Sequence, residues 1–166
     1  VLLVTHCMGE KDAPVGLSVQ KWAECFSRYS GCTLDVVTSA AARVSGRVYI
    51  LPQRFITRPT PLSRLEKHVA SRLAGHPDVD GWAICAARLV RKLVRHRRYD
   101  AVIAWSNPID SLYACIAAGL PGDLPLLWRF NDPIPACLYP NAVGWHPPLR
   151  DYTTDLAWLQ KAKTRI

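Results

Sequence analysis

The chain has 166 residues, 49% hydrophobic and 20% charged, with nine Gly and thirteen Pro. That is the composition of one ordinary globular domain, and it excludes collagen-like, disordered and disulfide-scaffold classes. Net charge is +8, and it is concentrated: Arg88, Arg91, Lys92, Arg95, Arg97 and Arg98 supply six of the 21 basic residues, with no acid between Gly81 and Tyr99.

Val1 to His6 is a short apolar run of β-forming residues, and a polar loop punctuated by Gly9 and Gly16 follows it. From Ser18 the spacing becomes helical through Val19, Trp22, Ala23 and Phe26, and it stops at Gly31. Ser18 is the expected cap, with Leu17 and Trp22 placed as a hydrophobic staple. Leu34 to Thr38 and Val48 to Leu51 read as strands covered on both faces. Gln53 to Pro61 lies among Pro52, Pro59 and Pro61 and reads as a loop and a candidate mobile segment. Two helices follow, Leu62 to Ala74 and Trp82 to Arg95, then a strand at Ala101 to Ser106, a helix at Pro108 to Ala118 and a strand at Leu126 to Phe130. This alternation predicts an α/β, Rossmann-like domain: a largely parallel sheet with helices on both faces, joined by right-handed crossovers.

The domain is expected to occupy residues 1–150, and residues 151–166 to begin an inter-domain or C-terminal helix, with Leu156, Leu159 and Ala162 on one side. The lack of an initiator Met and the uncapped end read as one domain of a longer polypeptide. The longest apolar stretches, Leu112 to Leu120 and Ala101 to Trp105, fall far short of the about 20 residues that cross a bilayer. Six cysteines without a Cys-x-x-Cys pair point to a reducing, cytoplasmic compartment. The dispersed histidines offer no metal-ligand spacing, so neither metal nor cofactor is expected. His6 and Cys7 could be imagined as base and nucleophile, but neighbours on a strand point to opposite faces, and core packing is the preferred reading.

Ligands of an open parallel sheet bind beyond the carboxyl ends of its strands, which gives weight to three loops. Cys7 to Gly16 leads into a helix N-terminus that can face a phosphate, although it is neither a dinucleotide fingerprint nor a Walker loop. Trp105-Ser106-Asn107-Pro108 and Arg129-Phe130-Asn131-Asp132-Pro133 end two later strands. Helix capping alone explains each Asn-Pro or Asp-Pro, and a ligand role stands beside it.

The segments VLLVTH…APVGLSVQKWAECFSRYSGCTLDVVTS, YDAVIAWSNP and LPLLWRFNDP, in that order and spacing, resemble the N-terminal domain of glycosyltransferase family 4 enzymes of the GT-B architecture. The resemblance spans nearly the whole chain, though Gly16-Leu17 stands where the family usually has Gly-Gly. It implies the acceptor-side half of a nucleotide-sugar-dependent, retaining glycosyltransferase acting on a glycan or lipid-linked acceptor. The donor would be held mainly by a C-terminal domain that this chain lacks. On that basis Gly16 would approach donor phosphate, and His6, Ser106, Asn107 and Arg129 would line the cleft. Ser106 and Asn107 would bind acceptor hydroxyls, and Asp132 would orient the acceptor or accept its proton. The alternative is a non-catalytic or split-subunit α/β module that pairs with a separate donor-binding chain.

Arg88, Arg91, Lys92 and Arg95 share a helical stripe, opposite Ile84, Leu89, Leu93 and Val94 near the core. A solvated face explains them, and so does docking on an anionic membrane, where each basic residue contributes about 1 kcal/mol. Nucleic acid is not expected, because no exposed aromatics interleave the arginines and no known binding motif is present.

Overall fold

The computed structural model describes residues 1–8, 15–51, 61–75, 79–106 and 110–130. Nine elements follow one another in them: β1 (Leu2–Thr5), α1 (Val15–Tyr29), β2 (Asp35–Thr38), β3 (Val48–Ile50), α2 (Pro61–Ala74), α3 (Gly81–His96), β4 (Val102–Ser106), α4 (Asp110–Ala118) and β5 (Leu126–Phe130). The five strands form one all-parallel sheet in the order β3-β2-β1-β4-β5. The fold is α/β and Rossmann-like, as expected. Chain connectivity runs outward from β1 on one side and from β4 on the other, so β1 and β4 flank the topological switch point.

Strand alternation sorts the core into two layers. Leu2 and Val4 of β1, with Val102 and Ala104 of β4, face α3 and α4. Leu3, Ile103 and Trp105 face the other way, onto Val19 and Ala23 of α1. Both layers are apolar and buried, which is why these strands read as continuous apolar runs rather than alternating ones.

Two helices differ from expectation in ways that matter for the site. α1 begins at Val15 rather than at Ser18, so Ser18 is an exposed residue of the second turn and caps nothing. Gly16 is therefore buried in the first helical turn, not part of the preceding loop. On α3 the core-facing stripe is Ala83, Ala86, Ala87, Val90 and Leu93, whereas Ile84, Leu89 and Val94 are half-buried. Small residues let α3 lie close against Ala114, Cys115 and Ala118 of α4, and a search for large apolar side chains misses that stripe.

At the sheet's amino edge, Asp35 is nearly fully buried and accepts hydrogen bonds from the Arg47 N–H (2.8 Å), the Tyr99 hydroxyl (2.8 Å) and Arg97 Nη1 (3.2 Å). This cluster ties the exit of α3 to β2. Arg97 thus has an internal partner and is not part of a free basic patch. Among the described residues no helix is long and apolar enough to cross a membrane.

Candidate functional site

β1 ends at Thr5, and alternation turns the next residue, His6, toward the α3/α4 layer. Its main chain is held from both sides. The His6 N–H donates to Ser111 Oγ of α4 at 2.8 Å, and the His6 carbonyl accepts from the Ser39 hydroxyl beyond β2. His6 is only 2% exposed, and its ring stacks on Trp82 of α3 with centroids 4.4 Å apart and planes 4° from parallel. The imidazole is thereby fixed in position and tilt at the switch point.

Asp110 opens α4 and completes the arrangement. Its Oδ2 lies 2.9 Å from His6 Nδ1, and its Oδ1 accepts the Asp80 N–H at 3.0 Å. The carboxylate is buried, yet both oxygens are occupied and it sits at a positive helix end, where negative charge is favoured. A carboxylate at Nδ1 assigns the proton of neutral imidazole to that nitrogen, leaving a lone pair on Nε2. His6 Nε2 is buried without a hydrogen-bond partner among the described residues. Buried polar atoms are almost always satisfied, so this nitrogen has an unused acceptor function.

Asp80 is the third member of the group and its second carboxylate. It is the N-cap of α3, its Oδ1 accepting from the N–H groups of Trp82 (2.8 Å) and Ala83 (3.4 Å). Desolvation pushes its carboxyl above the ordinary range and the Asp110 charge adds to this, while His6 and the two N–H bonds oppose it. One ligand atom from each of His6, Asp80 and Asp110 falls within 4.8 Å of the others. His6 Nδ1 and both Asp110 oxygens already serve one another and the backbone, so a cation bound at Nδ1 would have to break the His6–Asp110 bond. The chemistry of the set is that of a positioned acid–base pair.

The expected site residues divide between the faces of the sheet. His6 belongs to the α3/α4 side. Arg129 of β5 is in register with Trp105 and lies on the α1 side, its guanidinium 4.2 Å from the Trp105 ring centre and 5.9 Å from that of Trp22. The structure therefore separates Arg129 from His6 and gives it a stacking role. Ser106 is the last residue of β4, one step beyond the Thr5↔Trp105 pair, at the same edge as His6. Asn107 and Asp132 lie outside the described residues, as do the boundary at residue 150 and the helix expected to start at residue 151. Among the basic residues, Arg88, Lys92 and Arg95 are exposed and form no ion pair with described residues. Arg91 departs from that stripe: its guanidinium donates to the carbonyls of Ala117 (2.6 Å) and Ala118 (2.9 Å), closing the C-terminus of α4.

Sequence reasoning named His6 but missed Asp80, Trp82, Asp110 and Ser111. By sequence Asp110 is only an acid in the first turn of a helix, where it complements the dipole. Its separation from His6 by 104 residues leaves no local pattern, and the one available signal was its position just past the strand that flanks the switch point. Comparison with protein-family models, with curated proteins and with solved structures gives no match.

Proposed function

We propose that this domain is the acceptor-side half of a nucleotide-sugar-dependent glycosyltransferase that delivers a sugar to a hydroxyl of a glycan or lipid-linked acceptor. What supports the reading is the buried His6–Asp110 pair at the switch point, with Nδ1 fixed and Nε2 free to accept. Asp110 sets the tautomer and stabilises the ring if it becomes protonated, and Trp82 holds its plane. The acceptor hydroxyl would donate to Nε2 once the groups covering that nitrogen part. In the retaining course that the family 4 resemblance implies, His6 orients the hydroxyl while its proton leaves toward the donor phosphate. An inverted product would make His6 the base.

The donor belongs mainly to a partner domain, with the first turn of α1 at Gly16 facing its phosphates. Ser106, Asn107 and Asp132 keep their proposed contacts to the acceptor. The cell compartment that goes with this reading is the cytoplasm, with Arg88, Lys92 and Arg95 toward an anionic membrane. The test is transfer by the full-length protein. His6→Asn and Asp110→Asn should each lower kcat about 100-fold or more while leaving donor affinity unchanged. Normal turnover in both would overturn the assignment.

A second reading rests on the burial of His6, at 2% exposure. In a non-catalytic or split-subunit binding module, His6–Asp110 is a polar latch between β1 and α4. Under that reading the two substitutions act on stability alone, and no transfer is found in the native protein with any donor.

A further inference from the structure

We infer that α2 is a membrane-contact helix whose apolar stripe enters the headgroup region of an anionic bilayer. Leu62, Leu65, Val69 and Leu73 recur at intervals of three and four residues, so they form one stripe along the helix. All four face solvent, at 72%, 59%, 47% and 71% exposure, while Ala70 is buried on another side. Such a row is unusual on a helix that carries charge, because large apolar side chains at this spacing ordinarily face a core.

The charges on α2 select the occupant. Arg64, Lys67 and Arg72 are exposed cations, and the sole acid of the helix, Glu66, has its carboxylate against Gly81 at the N-terminus of α3. A second copy of α2 would bring like charges together with no acid to pair them. The stripe is a ridge on a convex helix surface, which a deformable lipid surface can take up. A low-hydrophobicity amphipathic helix with cations beside its apolar face is the pattern of interfacial binding rather than spanning. The Glu66–Gly81 contact also places α2 at the carboxyl edge of the sheet, next to the α3 terminus that carries Asp80 and Trp82. Resting on the proposed transfer reaction, this placement favours an acceptor held at the bilayer surface. The docking itself does not depend on that reaction.

The experiment is sedimentation of the chain with vesicles of phosphatidylglycerol or of phosphatidylcholine alone. Binding to the anionic vesicles is expected, falling about tenfold or more in Leu65→Glu/Leu73→Glu and in Arg64→Glu/Arg72→Glu, and falling with salt. These residues are exposed, so unchanged thermal unfolding should accompany the loss. A Val69→Trp variant should blue-shift its emission on the anionic vesicles. His6→Asn should bind vesicles normally, which separates failure of this inference from failure of the proposed reaction. Equal binding by the α2 variants, binding lost only in Arg88→Glu/Lys92→Glu/Arg95→Glu, or self-association abolished by Leu65→Glu/Leu73→Glu would each overturn it.

Discussion

Asp80 and Asp110 are carboxylates beside the same imidazole, and their surroundings give them opposite tasks. Both Asp110 oxygens accept from donors that a neutral amide could not both satisfy. Asp110→Asn would point an NH2 group at either His6 Nδ1–H or the Asp80 N–H, and it should cost about 1–3 kcal/mol in urea unfolding. Asp80→Asn keeps a good cap, since Asn serves as well as Asp in that position, and it removes a charge that burial and Asp110 both disfavour. The sign follows from linkage. The folded state holds the Asp80 proton more tightly than the unfolded chain, so the associated stabilisation is full below 3.8 and is lost as pH rises through the raised folded value. Asp80→Asn should therefore equal or exceed native stability at neutral pH and lose that advantage in acid. A variant clearly less stable at neutral pH would contradict the direction of the shift. Burial also pushes the Cys115 thiol up. Cys115 should stay unmodified by a thiol reagent under native conditions while exposed Cys25, Cys32 and Cys85 react, as peptide mapping would show.

Helices were legible where their punctuation was. Gly31 and Gly119 adopt left-handed φ of 68° and 63° just past α1 and α4, a conformation that glycine alone takes without strain, and Gly31 was an evident stop in the sequence. The start of α1 was not legible, because Gly16 looks like a loop residue although it lies in the first turn of the helix. The basic face of α3 shows why charge patterns underdetermine roles. Arg88, Arg91, Lys92 and Arg95 are alike in spacing, yet only Arg91 reaches the open carbonyls of α4. Arg91→Met keeps most of the stem and loses those bonds, so it should cost about 1 kcal/mol, whereas Arg88→Met and Lys92→Met should stay within about 0.5 kcal/mol. Equal effects on the thermal midpoint would remove the distinction. Gly46 carries a similar hidden constraint: a methyl group there would overlap the Leu34 carbonyl and the Asp35 carboxylate. Gly46→Ala should destabilise by about 1–3 kcal/mol through overpacking.

Element order along the chain and the parallel class of the sheet could be read from periodicity, because β-α alternation with short connections admits few arrangements. The order of strands across the sheet could not. Nothing local distinguishes β4 pairing with β1 from β4 pairing with β3, and that choice is what puts His6 at a crevice and Asp110 beside it. The same topology bears on how much this chain can do alone. The carboxyl edge offers an anchored imidazole and helix termini on both sides of the switch point, and under the proposed function it forms one wall of a cleft. Under the proposed function, a nucleotide sugar would lose most of its contacts when the second wall is missing, and small-molecule affinity depends on burying most of the ligand. The chain by itself should unfold cooperatively, since its two core layers share one sheet, and should bind common nucleotide sugars weakly or not at all in calorimetric titration. Micromolar donor affinity, or sugar transfer by residues 1–166 alone, would mean that this domain carries the donor site itself, and the acceptor-side assignment would fall.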